Sequence, residues 1–244
     1  MDEKELKTSP KQRFFIILIA VLMVGSIVAS YTAIVISGSQ GSASSSTEEV
    51  EVDEEKIAEY EEAYNKVQTE FSEATKGDFD KFIKYKAEVA AFNEASANEN
   101  GVQVKDLREG TGRELKNGDT DYLAYYVGWC ADEEVFDSSY NDNDNPTAFA
   151  KILDASLGMI EGWNLGVEGM KLDGIRVMTI PGNLAYGDQM EICGGYNKPL
   201  KFMVMAKEKT DSLNNLSLKL DDAYLRLQYA YYGVDYDSVK ANSE

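Results

Sequence analysis

The chain of 244 residues contains no histidine. That absence removes the usual general base, the Ser-His and Cys-His nucleophile pairs and most catalytic zinc sites. Two cysteines, Cys130 and Cys193, are too few for a disulfide scaffold or a four-thiolate metal centre, and at most they make one bridge. Basic charge is also short: 24 Lys and Arg stand against 43 Asp and Glu, for a formal net charge of -19. Such a balance repels phosphate backbones, so no nucleic-acid partner is expected. Prolines are few as well, and Pro10, Pro146, Pro181 and Pro199 hint at no internal substrate. No phosphate-cradling loop is present, since EGTGRE at 109–114 reads as a turn between strands, and no cofactor is expected. The run NDNDN at 141–145 lacks the glycine and distal glutamate of an EF-hand loop, which makes it a solvated turn and leaves no metal site.

What the chain does have begins with an uncharged run at 14–36, FFIILIAVLMVGSIVASYTAIVI. A bilayer core needs about 20 helical residues, so a single transmembrane helix is the natural reading. Lys4, Lys7, Lys11 and Arg13 precede the run, and no basic residue follows it until Lys56. That bias places a cytoplasmic tail at 1–13 and everything from Ser37 onward outside, as a single-pass protein of the cell membrane. The alternative is a cleaved signal peptide, for which Ala29 and Ser30 offer small residues at a possible cut, although the run is longer than the roughly 7 to 15 residues expected of one. In either case the working part is extracytoplasmic.

Residues 37–52 form a Gly/Ser-rich and then acidic flexible linker. A helical region follows at 53–97. Ile57, Tyr60, Tyr64, Val67 and Phe71 share one stripe, Gly77-Asp78 interrupts it, and Phe79, Phe82, Tyr85, Val89 and Phe92 resume it before the polar run 97–100. Two amphipathic helices joined by a turn are predicted. Their narrow stripe packs within the chain or makes a homodimer or client surface. A C-terminal helical extension at 210–244 repeats the spacing in Leu213, Leu216, Leu220, Tyr224, Leu227 and Tyr231, with Gly233 as its stop. Between them, residues 98–209 carry short apolar runs broken by Gly, Asn and Asp, a sheet signature with one short helix at 162–171. The class is α+β, an antiparallel sheet with a helix on it.

Three segments of the middle region stand out together: AYYVG at 124–128 followed by VFDSS at 135–139, then MIEGWNLGVEGMKLDG at 159–174, and IPGNLAYG at 180–187 leading to PLKFMVM at 199–205. In order and spacing this set resembles the FKBP-type peptidyl-prolyl cis-trans isomerases. The resemblance implies a half-barrel sheet wrapped on a short helix, with a proline-binding pocket between them and proline-containing polypeptides as substrates. It also implies site roles. Tyr126 is similar to the aromatic of the second core strand, Phe136 and Asp137 to the pocket wall and its carboxylate, and Phe149 to an aromatic of the far edge. Met159 and Ile160 correspond to the rim pair, Trp163 to the indole floor, Tyr186 to the phenol that donates to a substrate carbonyl, and Phe202 to the last-strand aromatic.

Some positions depart from that pattern. The family's basic residue shortly after FDSS is missing, with none before Lys151, which points to Tyr126 or Tyr186 as the partner of Asp137. Asp137 read by itself is equally a turn residue capping Ser138 and Ser139. Thr147 stands where an aromatic is usual. The loop after Tyr186 keeps Ile192 as its only obvious apolar finger. Outside the membrane Cys130 and Cys193 can bridge and pin that loop, or remain two separate thiols.

Overall fold

A computed structural model of the protein describes residues 53–88, 92–140 and 146–241. The expected cytoplasmic tail, transmembrane helix and linker, with Val89 and the NDNDN run, lie outside the described residues. Among the described residues no helix is long and apolar enough to cross a membrane.

The first element, α1 (Glu54–Phe82), starts at Asp53, whose carboxylate accepts the Lys56 N–H at 3.0 Å, with Glu54 and Glu55 in its first turn. An N-cap acid and acidic first turn satisfy open N–H groups and complement the helix dipole. The helix does not break at Gly77-Asp78 as the sequence predicts. Its buried face runs Phe71, Thr75, Phe79, Phe82, a helical progression in which a polar residue bridges the two apolar stretches. Thr75 can be buried because its hydroxyl donates to the Phe71 carbonyl at 2.7 Å. Asp78 reaches Lys207 of the sheet at 3.0 Å. Burial of three phenylalanines, about 1.5–3 kcal/mol each, outweighs the roughly 1 kcal/mol cost of one helical glycine. The chain then tightens into a 3-10 turn, Ile83–Glu88, and α2 (Glu94–Glu99) occupies most of the polar run that was expected to end the helical region.

The sheet comprises β1 (Gln103–Arg108), β2 (Tyr122–Trp129), β3 (Val135–Ser138), the short β4 (Leu153–Asp154), β5 (Ile175–Ile180) and β6 (Leu200–Glu208). Its order is β1-β5-β6-β2-β3, with β4 also on β2, and every pairing is antiparallel. All eight residues of β2 are buried, so both faces of the sheet are covered. Leu123, Tyr125, Val127 and Trp129 join Phe71, Phe79 and Phe82 of α1 in one core. On the other face lies α3 (Glu161–Val167), brought close by two glycines: a Cβ on Gly162 would sit 2.2 Å from Ile180 Cγ2, and one on Gly166 2.5 Å from Met178 Sδ. Arg176 secures the end of α3, donating to the Gly166 and Glu168 carbonyls at 3.0 and 2.7 Å while its other nitrogens grip Asp106.

The long C-terminal helix α4 (Asp211–Tyr231) stops as the sequence predicts, with Gly233 at φ 65° and its N–H on the Ala230 carbonyl; α5 (Tyr236–Ala241) follows. It packs on α1, with the Tyr64 and Tyr224 rings 6.0 Å apart and the Tyr231 hydroxyl donating to Glu61. The stripe considered for a homodimer is therefore occupied by α4 and the sheet of the same chain.

Candidate functional site

Strand alternation turns Tyr126 away from the helix pair toward α3. There four rings meet nearly edge to face: Tyr126 lies 6.0 Å from Trp163 at 86°, Trp163 5.3 Å from Phe202 at 78°, and Phe136 5.5 Å from Phe202 at 86°. Each comes from a different element, β2, α3, β6 and β3. Such T-shaped contacts bring positive ring edges onto negative faces and hold the aromatic walls in register. Gly128 makes the approach possible, because a Cβ there would stand 2.6 Å from Phe136 Cζ and 2.9 Å from Phe202 Cε1. Beneath, the Trp163 indole N–H donates to the Tyr122 hydroxyl at 2.9 Å, which fixes the plane of the indole. Burial pushes the Tyr122 phenol up to about 12.

Asp137 closes one side, half-buried. One carboxylate oxygen accepts the Tyr126 hydroxyl. The other accepts the Ser138 N–H at 2.8 Å and the Lys151 ammonium at 2.6 Å. Asp137 thus partners Tyr126 and caps Ser138 but not Ser139, whose N–H donates to the Tyr126 carbonyl, and Lys151 supplies a cation further along the chain than the one missing after FDSS. Burial first, and then the charge of Asp137, raise the Tyr126 phenol well above its ordinary value, and the same two causes raise Tyr186, so both remain protonated donors at neutral pH. Tyr186 is 9% exposed and follows the short turn after β5.

Met159 and Ile160 are half-buried just before α3, and Ile160 is its N-cap residue. The Ile160 carbonyl accepts the Trp163 and Asn164 N–H groups at 3.0 and 3.3 Å, whereas its own N–H meets no backbone acceptor among the described residues. Ile192 is half-buried in a loop closed by its mutual backbone hydrogen bonds with Gly195. That loop is bridged to the end of β2, for Cys130 and Cys193 form a disulfide with their Cα atoms 5.4 Å apart. Tyr196 of the same loop, 57% exposed, is a second large apolar group there that the sequence reading passed over.

Phe149 is a correction. Expected at the pocket edge, it stacks instead on Tyr125 at 3.8 Å and 2°, with Phe79 and Phe82 against its edges, on the helix side of the sheet. Both faces of β2 are apolar, so an aromatic residue arriving from a loop has two places to go, and α1 provides three rings on this one. Lys151, Gly128 and Tyr122 are the functional neighbours that sequence reasoning missed. Tyr122 carried a signal, since it shares a strand face with Tyr126.

A separate groove of about 630 Å³ runs between α1 and α4, lined by Tyr60, Ala63, Val67, Leu218 and Ala223 among others. Its polar lining is Asn215, Lys219, Asp222 and Arg226, and Arg226 is paired with Asp222 and Asp237.

Residues 112–207 match the family model described as FKBP-type peptidyl-prolyl cis-trans isomerase. Over 90 residues the chain is 38% identical to an FK506-binding protein of Neisseria meningitidis serogroup B, covering 36% of this chain and 75% of that one. It is 41% identical over 92 residues to FK506-binding protein 4 of Neurospora crassa, and 38% over 108 residues to the peptidyl-prolyl cis-trans isomerase Mip of Chlamydia trachomatis serovar D. These alignments cover 36% and 44% of this chain but only 18% and 41% of the relatives, so the chain spans a minor part of their length. With the ring cluster and Asp137 inside the matched segment, and with three quarters of the Neisseria protein accounted for, the chain belongs to the FKBP-type peptidyl-prolyl cis-trans isomerase family.

Proposed function

We propose that this protein accelerates cis/trans exchange of X-Pro bonds in extracytoplasmic polypeptides, as a folding helper tethered to the membrane. The observation that carries the reading is the ring cluster of Tyr126, Phe136, Trp163 and Phe202 beside a clamped Asp137. Rotation about an X-Pro bond crosses a barrier of about 18–20 kcal/mol, because the amide must give up its resonance. The twisted amide is less polar than the planar one, so an apolar, water-excluding pocket favours it over the ground state. A thousandfold acceleration requires only about 4 kcal/mol of such preference. No proton is transferred and no covalent bond is made, which suits a chain without histidine. In this mechanism the Trp163 face supports the pyrrolidine ring, while the Ile160 N–H and the protonated Tyr186 phenol orient the substrate carbonyls.

The site of action is inferred from the apolar run at 14–36 with its basic N-terminal flank, and from the Cys130–Cys193 bridge, a bond that persists in oxidising compartments. Membrane attachment through that run follows from the same residues.

The test is exchange NMR of a short X-Pro peptide with the full chain and with its Phe136→Ala, Trp163→Ala double variant, each checked for retained secondary structure. Faster exchange with the parent, lost in the variant, is the expected result. Broadening of the peptide signals without faster exchange would overturn catalysis and make the domain a proline-recognition module.

A further inference from the structure

We infer that α1, a helix outside the segment matched to the family, sets the electrostatics of the pocket by fixing the strand-like segment that carries Lys151; this rests on the isomerase reading of the pocket. The connection is continuous. Tyr64 donates to Gln68 Oε1 at 3.1 Å, which leaves the Gln68 amide nitrogen to donate to the Phe149 carbonyl at 3.2 Å. Ser72, one turn further, donates to the Gln68 carbonyl at 2.8 Å, with its hydroxyl oxygen 3.4 Å from the Phe149 carbonyl. The Phe149 ring is fully buried between Tyr125 and the Phe79 and Phe82 edges, so both the main chain and the side chain of this residue are held by α1.

Two residues later the chain is held from the other side. The Ala150 and Lys151 N–H groups both donate to the Ser139 carbonyl, at 2.7 and 3.1 Å, and Ser139 in turn exchanges hydrogen bonds with Tyr126. Lys151 emerges from this clamp with its ammonium 2.6 Å from Asp137 and 5.7 Å from the centre of the Tyr126 ring. A lysine stem has several rotatable bonds, and its ammonium makes a charge-assisted bond of a given geometry only if its Cα is anchored. Ser139 holds one side of that anchor, and α1, through Phe149, holds the other. Gln68 and Phe149 are therefore positioning residues for Lys151, and through Asp137 for the Tyr126 hydroxyl. A helix that precedes the matched segment is thus part of the working domain.

The test is a double-mutant cycle between Gln68→Glu, which removes the side-chain donor to the Phe149 carbonyl at nearly constant shape, and Lys151→Met. Two readouts are taken on the full chain: kcat/KM for X-Pro exchange, and the amine resonance of Lys151, which is seen only when the ammonium is held out of fast exchange with water. The helix variant is expected to lower kcat/KM roughly two- to tenfold, the size of one lost hydrogen bond, and to erase the Lys151 resonance. In the Lys151→Met background the same helix change should cost little more, because coupled residues are not additive. Additive losses with an unaltered Lys151 resonance would overturn the inference and leave the isomerase reading intact. Failure of the isomerase reading would instead show as no acceleration by the parent, with the Lys151 resonance still responding to the helix change.

Discussion

Gly128 occupies a place where two phenyl rings need the volume of a methyl group. With a Cβ the nearest ring atoms would stand 2.6 and 2.8 Å away on Phe136 and 2.9 Å away on Phe202, all well inside van der Waals contact. Phe202 is packed against Trp163 and Tyr126, and Phe136 against Phe202, so the two rings do not yield independently. Gly128→Ala should cost about 1–3 kcal/mol by overpacking, and it should weaken X-Pro peptide binding because the pocket wall is made of those rings. Denaturant midpoint and peptide titration check it together; unchanged binding would mean that Phe136 is not a wall. The sequence made Tyr126, Phe136, Trp163 and Phe202 legible because each belongs to a short motif with fixed spacing. Lys151 and Phe149 were not legible. Which carboxylate a lysine meets, and which face an aromatic ring joins, depend on the path of the chain between Tyr140 and Leu153, and no periodicity encodes that path.

At the scale of elements, periodicity succeeded for α4 and its glycine stop but misread α1. The stripe seemed to end at Phe71 and resume at Phe79 because Thr75, the residue that connects them, is polar by name. Its hydroxyl is satisfied by the helix itself, so it buries like an apolar group. Gly77 then looks like a break, yet it is an exposed helical position where an added Cβ meets nothing within 4 Å. Gly77→Ala should stabilise the protein by about 0.5–1 kcal/mol, by removing backbone freedom from the unfolded chain. For a domain of this size that raises the thermal midpoint by roughly 2 °C. A lower midpoint would show that the helix needs a bend there. The same lesson applies to β2, whose uninterrupted apolar character marks a strand covered on both faces and so hides which residues face the pocket.

Across the whole molecule, the helices, sheet and pocket form one compact unit from Val50 to Glu244, and the bridge joins parts of it that are distant in sequence. Cys130 directly follows the strand that carries Tyr126, and Cys193 lies in the loop that follows Tyr186, with a sequence separation of 63. Cross-linking a loop of that length removes conformational freedom from the unfolded chain equivalent to about 4 kcal/mol in the chain-entropy account. Against a typical domain stability of roughly 5–15 kcal/mol this is a large share. Reduction should therefore shift the denaturant midpoint of the purified chain strongly downward. It should also loosen the loop beside Tyr186 before the strands open, since α1, β6 and α3 hold one another without it. The same bond gives the proposed compartment a test. Acid quenching and alkylation of intact cells should find Cys130 and Cys193 unreactive until a reductant is added. Two alkylated thiols in cells, beside a stable bridge in the purified protein, would mean that the domain works in a reducing compartment and that the reading of residues 14–36 as the anchor of an external domain is wrong.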